Sequence, residues 1–197
     1  YLSPTYRSRV RPTKDIDCII EVRNRIDYSR FEESLRKHGF RDAALTIPGA
    51  PICRWLYEDT LIDFMPTDKS ILGFSNRWFP EALQQLSSFR LPSGTEIAIC
   101  SLPYFLAIKL EAFEDRGVKD PRTSTDLEDI VTLIDGVAEI DSKLSNAPAS
   151  VKDYLKKQFR DLSVNEDFVE GIECNAVLGF EQAERVMRFV KRLSTGL

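Results

Sequence analysis

Asp15 and Asp17 open the run T-K-D-I-D-C-I-I-E-V at residues 13–22, in which Ile16, Ile19, Ile20 and Val22 otherwise spell a buried strand. The β-branched content predicts a strand over 16–22. Side chains of a strand alternate between its faces, so Asp15 and Asp17 share one face while Ile16, Cys18 and Ile20 point the other way into the core. Two carboxylates on a half-buried face are costly unless positive charge meets them. That demand constrains this chain more than any other stretch of it.

Carboxylates at i and i+2 of one strand can grip a divalent cation between their oxygens. The run "TLIDFM" supplies a third, Asp63, held between Ile62 and Phe64, and forms a hairpin with "ICRWLY" across Glu58-Asp59. If that strand pairs beside 16–22, the three carboxylates converge. Oxygen donors without His or Cys favour a hard cation, Mg²⁺ or Mn²⁺. Magnesium held by few carboxylates takes its other oxygens from water and substrate phosphates. A pair of such ions about 3.5–4 Å apart activates an attacking oxygen and stabilises a departing one. The bland alternative is a D-x-D that ends a loop and faces water.

The residues around these strands predict a helix from Ser29 to His38 stopped by Gly39, a short helix from Pro80 to Leu86, and a further strand "TEIAIC". Residues 1–101 therefore form an α/β (α+β) region built on one mixed sheet. After Pro103 helical periodicity takes over, and residues 102–197 form a helical C-terminal region. Helices are expected over 104–117, 125–135, 150–162, 165–173 and 180–193, with "SNAPAS" at 145–150 as a linker. Thr125 and Glu128 have capping-box spacing.

Composition excludes several classes. No apolar run approaches the ~20 residues of a membrane span, and no signal-peptide pattern opens the chain. Cys18, Cys53, Cys100 and Cys174 are scattered without a C-x-x-C pair, and His38 is the single histidine. A zinc site is not expected, and the thiols point to a reducing, cytoplasmic setting. A net charge of −4 argues against a protein coated with nucleic acid. A local basic group, Arg7, Arg9, Arg11 and Lys14, nevertheless crowds the approach to Asp15. Arg9, Arg11 and Lys14 are candidate contacts for phosphates of a nucleotide or RNA. Arg185, Arg188, Lys191 and Arg192 end the last helix, where cations suit the macrodipole.

Lys109 lies in the middle of the apolar arc Phe105, Ile108, Leu110, Ala112 and Phe113, with Arg116 almost directly below it. Binary patterning would put these cations on the acidic side with Glu111, Glu114 and Asp115. Either the lysine snorkels to water, or both cations reach a cleft and meet a polyphosphate or the aspartates. Asp126 sits in the first turn of its helix and Asp129 points away from the stripe Leu127, Ile130, Val131 and Ile134, so the pattern places both on the surface.

Three blocks, "RPTKDID" before a strand, "LIDFMP", and "FLAIKLEAFEDRG…STDLEDIV", together resemble the AbiEii-type nucleotidyltransferases, toxins of bacterial toxin–antitoxin pairs within the DNA polymerase β-like superfamily. The resemblance spans roughly residues 5–135. It implies a small mixed sheet flanked by helices and followed by a helical part. It implies an Mg²⁺-dependent enzyme that moves a nucleoside monophosphate from an NTP to a hydroxyl of RNA, such as tRNA, or of protein. A cognate antitoxin would be its partner. By the same resemblance Asp15 and Asp17 match the paired metal-binding aspartates, and Asp63 the carboxylate that helps deprotonate the attacking hydroxyl. Lys109 matches the lysine expected at nucleotide phosphates and Asp126 an acidic position of the last motif; Arg116, by its spacing from Lys109, is a further nucleotide-binding candidate. One departure stands out: the superfamily carries a Gly-Gly or Gly-Ser turn ahead of the first aspartate, and here no glycine precedes Gly39. The turn is expected upstream of Tyr1; without it the chain would be a degenerate, non-catalytic binding or regulatory module.

Overall fold

The computed structural model describes residues 1–195 apart from Arg9. In chain order its elements are a helical turn α1 (Pro4–Arg7), strand β1 (Asp15–Ile20), helix α2 (Arg25–Lys37) and strands β2 (Arg41–Asp42), β3 (Arg54–Tyr57) and β4 (Thr60–Pro66). Short helices α3 (Lys69–Leu72) and α4 (Phe79–Leu83) and strands β5 (Leu86–Arg90) and β6 (Glu96–Cys100) come next. Helices α5 (Leu102–Ala112), α6 (Thr125–Gly136), α7 (Ile140–Ser145), α8 (Ala149–Ser163), α9 (Glu166–Asn175) and α10 (Phe180–Thr195) complete the chain. This is an α+β protein with a small mixed sheet. None of its described helices is long and apolar enough to cross a membrane.

The chain divides into two compact units, Arg11–Gln84 and Tyr1–Val10 joined with Gln85–Leu197. In the first, four strands lie in the order β1-β4-β3-β2. β1 runs parallel to β4, and the other pairs are antiparallel. Helix α2 covers one face: Phe31 packs edge-on to Phe64 at 5.1 Å between centroids, and Arg36 lies over the ring of buried Trp55. α2 begins at Arg25 rather than Ser29 because the Asn24 side chain accepts the N–H groups of Ile26 and Asp27. It stops where Gly39 takes φ +88°. The expected hairpin is present, its turn made by Glu58 at φ +52° and Asp59.

β1 departs from its expected burial. It is an edge strand, and Ile16 is 52% exposed, while Cys18 and Ile20 are only half-buried. The reason is register: Cys18 lies beside Phe64, which Phe31 covers, whereas Ile16 lies beside Ile62, one step before that contact.

The second unit differs from expectation at several points. "TEIAIC" does not extend the mixed sheet; β6 pairs with β5 in a separate two-stranded sheet. Leu86, expected at a helix end, is the first residue of β5. "LSSFR" gave no strand signal because the hairpin is exposed on most of both faces, so selection for alternation is weak. Residues 145–150 are no linker: α7 ends at Ser145, α8 starts at Ala149, Ala147 is buried between them, and Val151 is buried in the first turn of α8. The β5–β6 hairpin belongs with the helices, so the unit boundary falls at Gln84/Gln85, ahead of the change in character at Pro103.

α5 supplies the centre of this unit. Leu102, Tyr104, Leu106, Ala107 and Leu110 are buried around its circumference. α6 lies against it with Leu127, Ile130 and Val131, and α8 and α9 add Leu155, Phe159 and Phe168. The cap of α6 is Ser124, whose Oγ accepts the Leu127 N–H, and not Thr125. α10 closes the unit with the stripe Ala183, Val186, Phe189, Val190 and Leu193.

Candidate functional site

Sheet register brings the first three candidate carboxylates to one face. Asp17 is the register partner of Asp63 across the parallel β1–β4 pair, and Asp15 lies two residues before Asp17. Directly opposed residues point to the same side of a sheet, so all three share the face away from α2. Asp63 is buried at 7% exposure, Asp15 is about one-third exposed at its side chain, and Asp17 is exposed.

A fourth residue on this face, Arg54, was not anticipated. It is the antiparallel partner of Asp63. Its Nε donates to Asp63 Oδ1 at 2.8 Å and its Nη2 to Asp63 Oδ2 at 2.7 Å. The same Nη2 donates to Asp15 Oδ2 at 2.8 Å. These are short, charge-assisted bonds with the bidentate fork that guanidinium and carboxylate geometry match. Hydrogen bonding to Asp63 holds the Arg54 guanidinium above its already high value against the opposing effect of burial, and the charges of Asp63 and Asp15 add to this. The signal for Arg54 was in the sequence: a two-residue turn at Glu58-Asp59 pairs Tyr57 with Thr60, and counting outward puts Arg54 opposite Asp63.

The charges of the aspartates are felt across the sheet. Burial first, then Asp17 and Asp63, push the Cys18 thiol up. Burial and then Asp63 push Cys53 up to about 11. Both thiols therefore stay protonated and unreactive near neutral pH.

Among the described residues no three His, Cys, Asp or Glu side chains stand close enough to hold a metal ion together. Asp15, Asp17 and Asp63 would offer a cation carboxylate oxygens, the donor type that suits a hard ion. Arg54, a cation bridging Asp15 and Asp63, marks where this face stabilises positive charge.

The remaining candidates lie in the second unit. Lys109 is mostly buried, with its side chain 16% exposed, and it does not stand alone. Its Nζ meets Asp129 Oδ2 at 2.7 Å and Asp126 Oδ1 at 3.3 Å. Arg116 forks onto the same Asp126, Nε to Oδ2 at 2.7 Å and Nη2 to Oδ1 at 3.0 Å. Burial pulls the Lys109 ammonium down, but Asp129 and then Asp126 outweigh it, and the net direction is up. Asp126 is 2% exposed, which corrects its surface assignment; Asp129 is half-buried. The surface reading failed because a place in the first helical turn already accounts for an anion such as Asp126, while the partners that bury it come from α5 and the turn that follows it. Arg116 lies in a π-helical turn, Phe113–Gly117, a local widening often found at functional sites.

Of the basic group before β1, Lys14 is exposed and Arg11 is half-buried, and Arg9 lies outside the described residues. Of the cations on α10, Arg185 pairs with Asp135 and Arg192 with Asp141.

Compared with known proteins, the sequence matches no family model and no curated protein.

Proposed function

We propose that this chain is a metal-dependent nucleotidyltransferase of the AbiEii type, which moves a nucleoside monophosphate from an NTP to a hydroxyl of RNA or protein and releases pyrophosphate. One observation carries this: Asp15, Asp17 and Asp63 lie in register on one face of two adjacent parallel strands. Asp15 and Asp17 would hold Mg²⁺ or Mn²⁺, with Asp63 as the third ligand. Bound there, the metal would supply charge neutralisation at the phosphates and an activated acceptor oxygen. Asp63, buried and acceptor-only, would orient the acceptor hydroxyl and favour loss of its proton. Lys14, exposed one residue before Asp15, would meet phosphate by charge alone. The resemblance assigns Lys109 to the nucleotide phosphates and Asp126 to an acidic position of the last motif, and Arg116, beside them on Asp126, would join the nucleotide set. Among these, Arg116 is the cation that a dissolved anion reaches, with its side chain 67% exposed. A toxin role beside an antitoxin, and tRNA as acceptor, extend the proposal on the resemblance alone.

A second reading has its own observation. Arg54 satisfies both oxygens of Asp63 without any metal, as a catalytically degenerate binding module would need. One experiment separates the two. The chain is incubated with each labelled NTP, Mg²⁺ and total RNA, beside an Asp15→Ala/Asp17→Ala variant. The enzyme requires labelled product from the wild type and a loss of about 10³-fold or more in the variant. Equally little labelling by the two selects the binding module, and equally strong labelling removes Asp15 and Asp17 from the chemistry.

A further inference from the structure

Arg54 accounts for one positive charge against three carboxylates on its face, and how it spends that charge is specific. It gives two bonds to Asp63 and one to Asp15, so both oxygens of the buried carboxylate are engaged. A carboxylate as buried as Asp63 is not left without a positive partner. A divalent cation on these aspartates would draw on the same carboxylate oxygens. Two cations crowded onto one carboxylate pair repel each other strongly.

We propose that Arg54 is a built-in counter-ion that a divalent cation must displace from Asp63 and Asp15, so that loading this face with metal is an exchange of one cation for another. This rests on the metal-dependent reading of Asp15, Asp17 and Asp63. The side chain is suited to leave. It is 22% exposed and hangs on a flexible stem, so its charged end has a route to water. It comes from β3, whereas the metal-binding pair comes from β1. Its departure therefore breaks no backbone bond of the parallel β1–β4 register that aligns Asp17 with Asp63. Arg54 is in this sense a positioning residue. It holds Asp63 and Asp15 in place and compensated until the metal arrives, and it lowers the affinity for bare metal.

The test is direct binding of Mn²⁺, read from the electron paramagnetic resonance signal of the free ion. The proteins are the full chain, Arg54→Gln, Arg54→Lys and Asp15→Asn/Asp17→Asn. Removing a unit positive charge from contact with the carboxylates is expected to tighten Mn²⁺ about tenfold in Arg54→Gln. Arg54→Lys, a point charge without the fork, should fall between Gln and wild type. The double aspartate variant should lose the site. A purely structural arginine makes the opposite prediction: Arg54→Gln would loosen the strands and bind Mn²⁺ no better than wild type. That result, with binding still lost in the double aspartate variant, overturns the exchange and leaves the metal site standing. Absence of Mn²⁺ binding in both wild type and Arg54→Gln removes the metal reading, and the exchange with it. If Arg54→Gln does not fold, Arg54→Lys decides: Mn²⁺ affinity equal to wild type overturns the proposal.

Discussion

Asp126 shows what one buried charge commits its neighbours to. Its two oxygens serve Lys109, from the last turn of α5, and Arg116, from the π-helical turn that follows it. Truncation leaves a mostly buried ammonium with Asp129 alone, so Asp126→Ala should cost about 3 kcal/mol in urea unfolding. Arg116→Ala should cost less than about 1 kcal/mol, because a guanidinium two-thirds in water is already well solvated. Equal costs would contradict the burial of Asp126. The pH dependence follows from the sign of the Lys109 shift. Its value in the folded chain lies above the ordinary 10.5, so pairing stabilises the fold fully below that pH and is lost as pH rises through the raised value. The stability gap between wild type and Lys109→Met should be flat from pH 6 to 9 and should shrink only above about pH 10.5. Sequence alone made these residues legible unevenly. Lys109 announced itself as a cation on an apolar arc, and Arg54 was deducible by counting from a two-residue turn. Asp126 was not, because its partners are set by how two helices pack, which no local period encodes.

At the scale of elements, the long helices were legible because a 3.6-residue stripe survives any tertiary context, and Leu127, Ile130, Val131 and Ile134 line up in α6 as their spacing requires. Short elements without a covered face were not: β5 shows polar residues on both sides, and α7 offers only Ile140 and Leu144. Element ends were decided by single side chains, Asn24 for α2 and Ser124 for α6, each one or more residues before the apolar pattern begins. The close of the α5 segment is the tightest of these joints. A Cβ on Gly117 would stand 2.5 Å from both the Phe113 ring and the Ser124 Oγ, the cap of α6. Glycine there lets the π-helical turn lie against the start of α6, and this delivers Arg116 to Asp126. Gly117→Ala should therefore destabilise the chain by about 1–3 kcal/mol, as overpacking does. In a double-mutant cycle it should couple to Arg116→Ala, since both act on one joint. Additive costs would separate the glycine from the ion network.

The whole molecule is two compact units joined where the chain leaves and re-enters the sheet, and its first residues belong with its last hundred. Tyr1 stacks on Phe105 at 5.2 Å between centroids, and the Ser3 N–H donates to the Gly136 carbonyl at 3.1 Å. The Tyr6 hydroxyl donates to Asp135, which also takes the fork of Arg185 from α10. Gly136 is required under this segment, because a Cβ there would lie 2.7 Å from both Leu2 and Tyr6. No strand or helix pattern could have assigned residues 1–10 to the helical unit, since the contacts span more than a hundred positions. The chain supplies its own reporters for a test. Both tryptophans, Trp55 and Trp78, lie in the sheet unit, while most of the helix lies in the other. Tyr6→Ala removes a ring from Gly136 and a hydrogen bond from Asp135, at about 2 kcal/mol. In urea, the midpoint followed by far-ultraviolet circular dichroism should fall, while the tryptophan fluorescence midpoint should move much less. If both midpoints fall together, the two units melt as one cooperative block, and the first ten residues support the sheet as much as the helices.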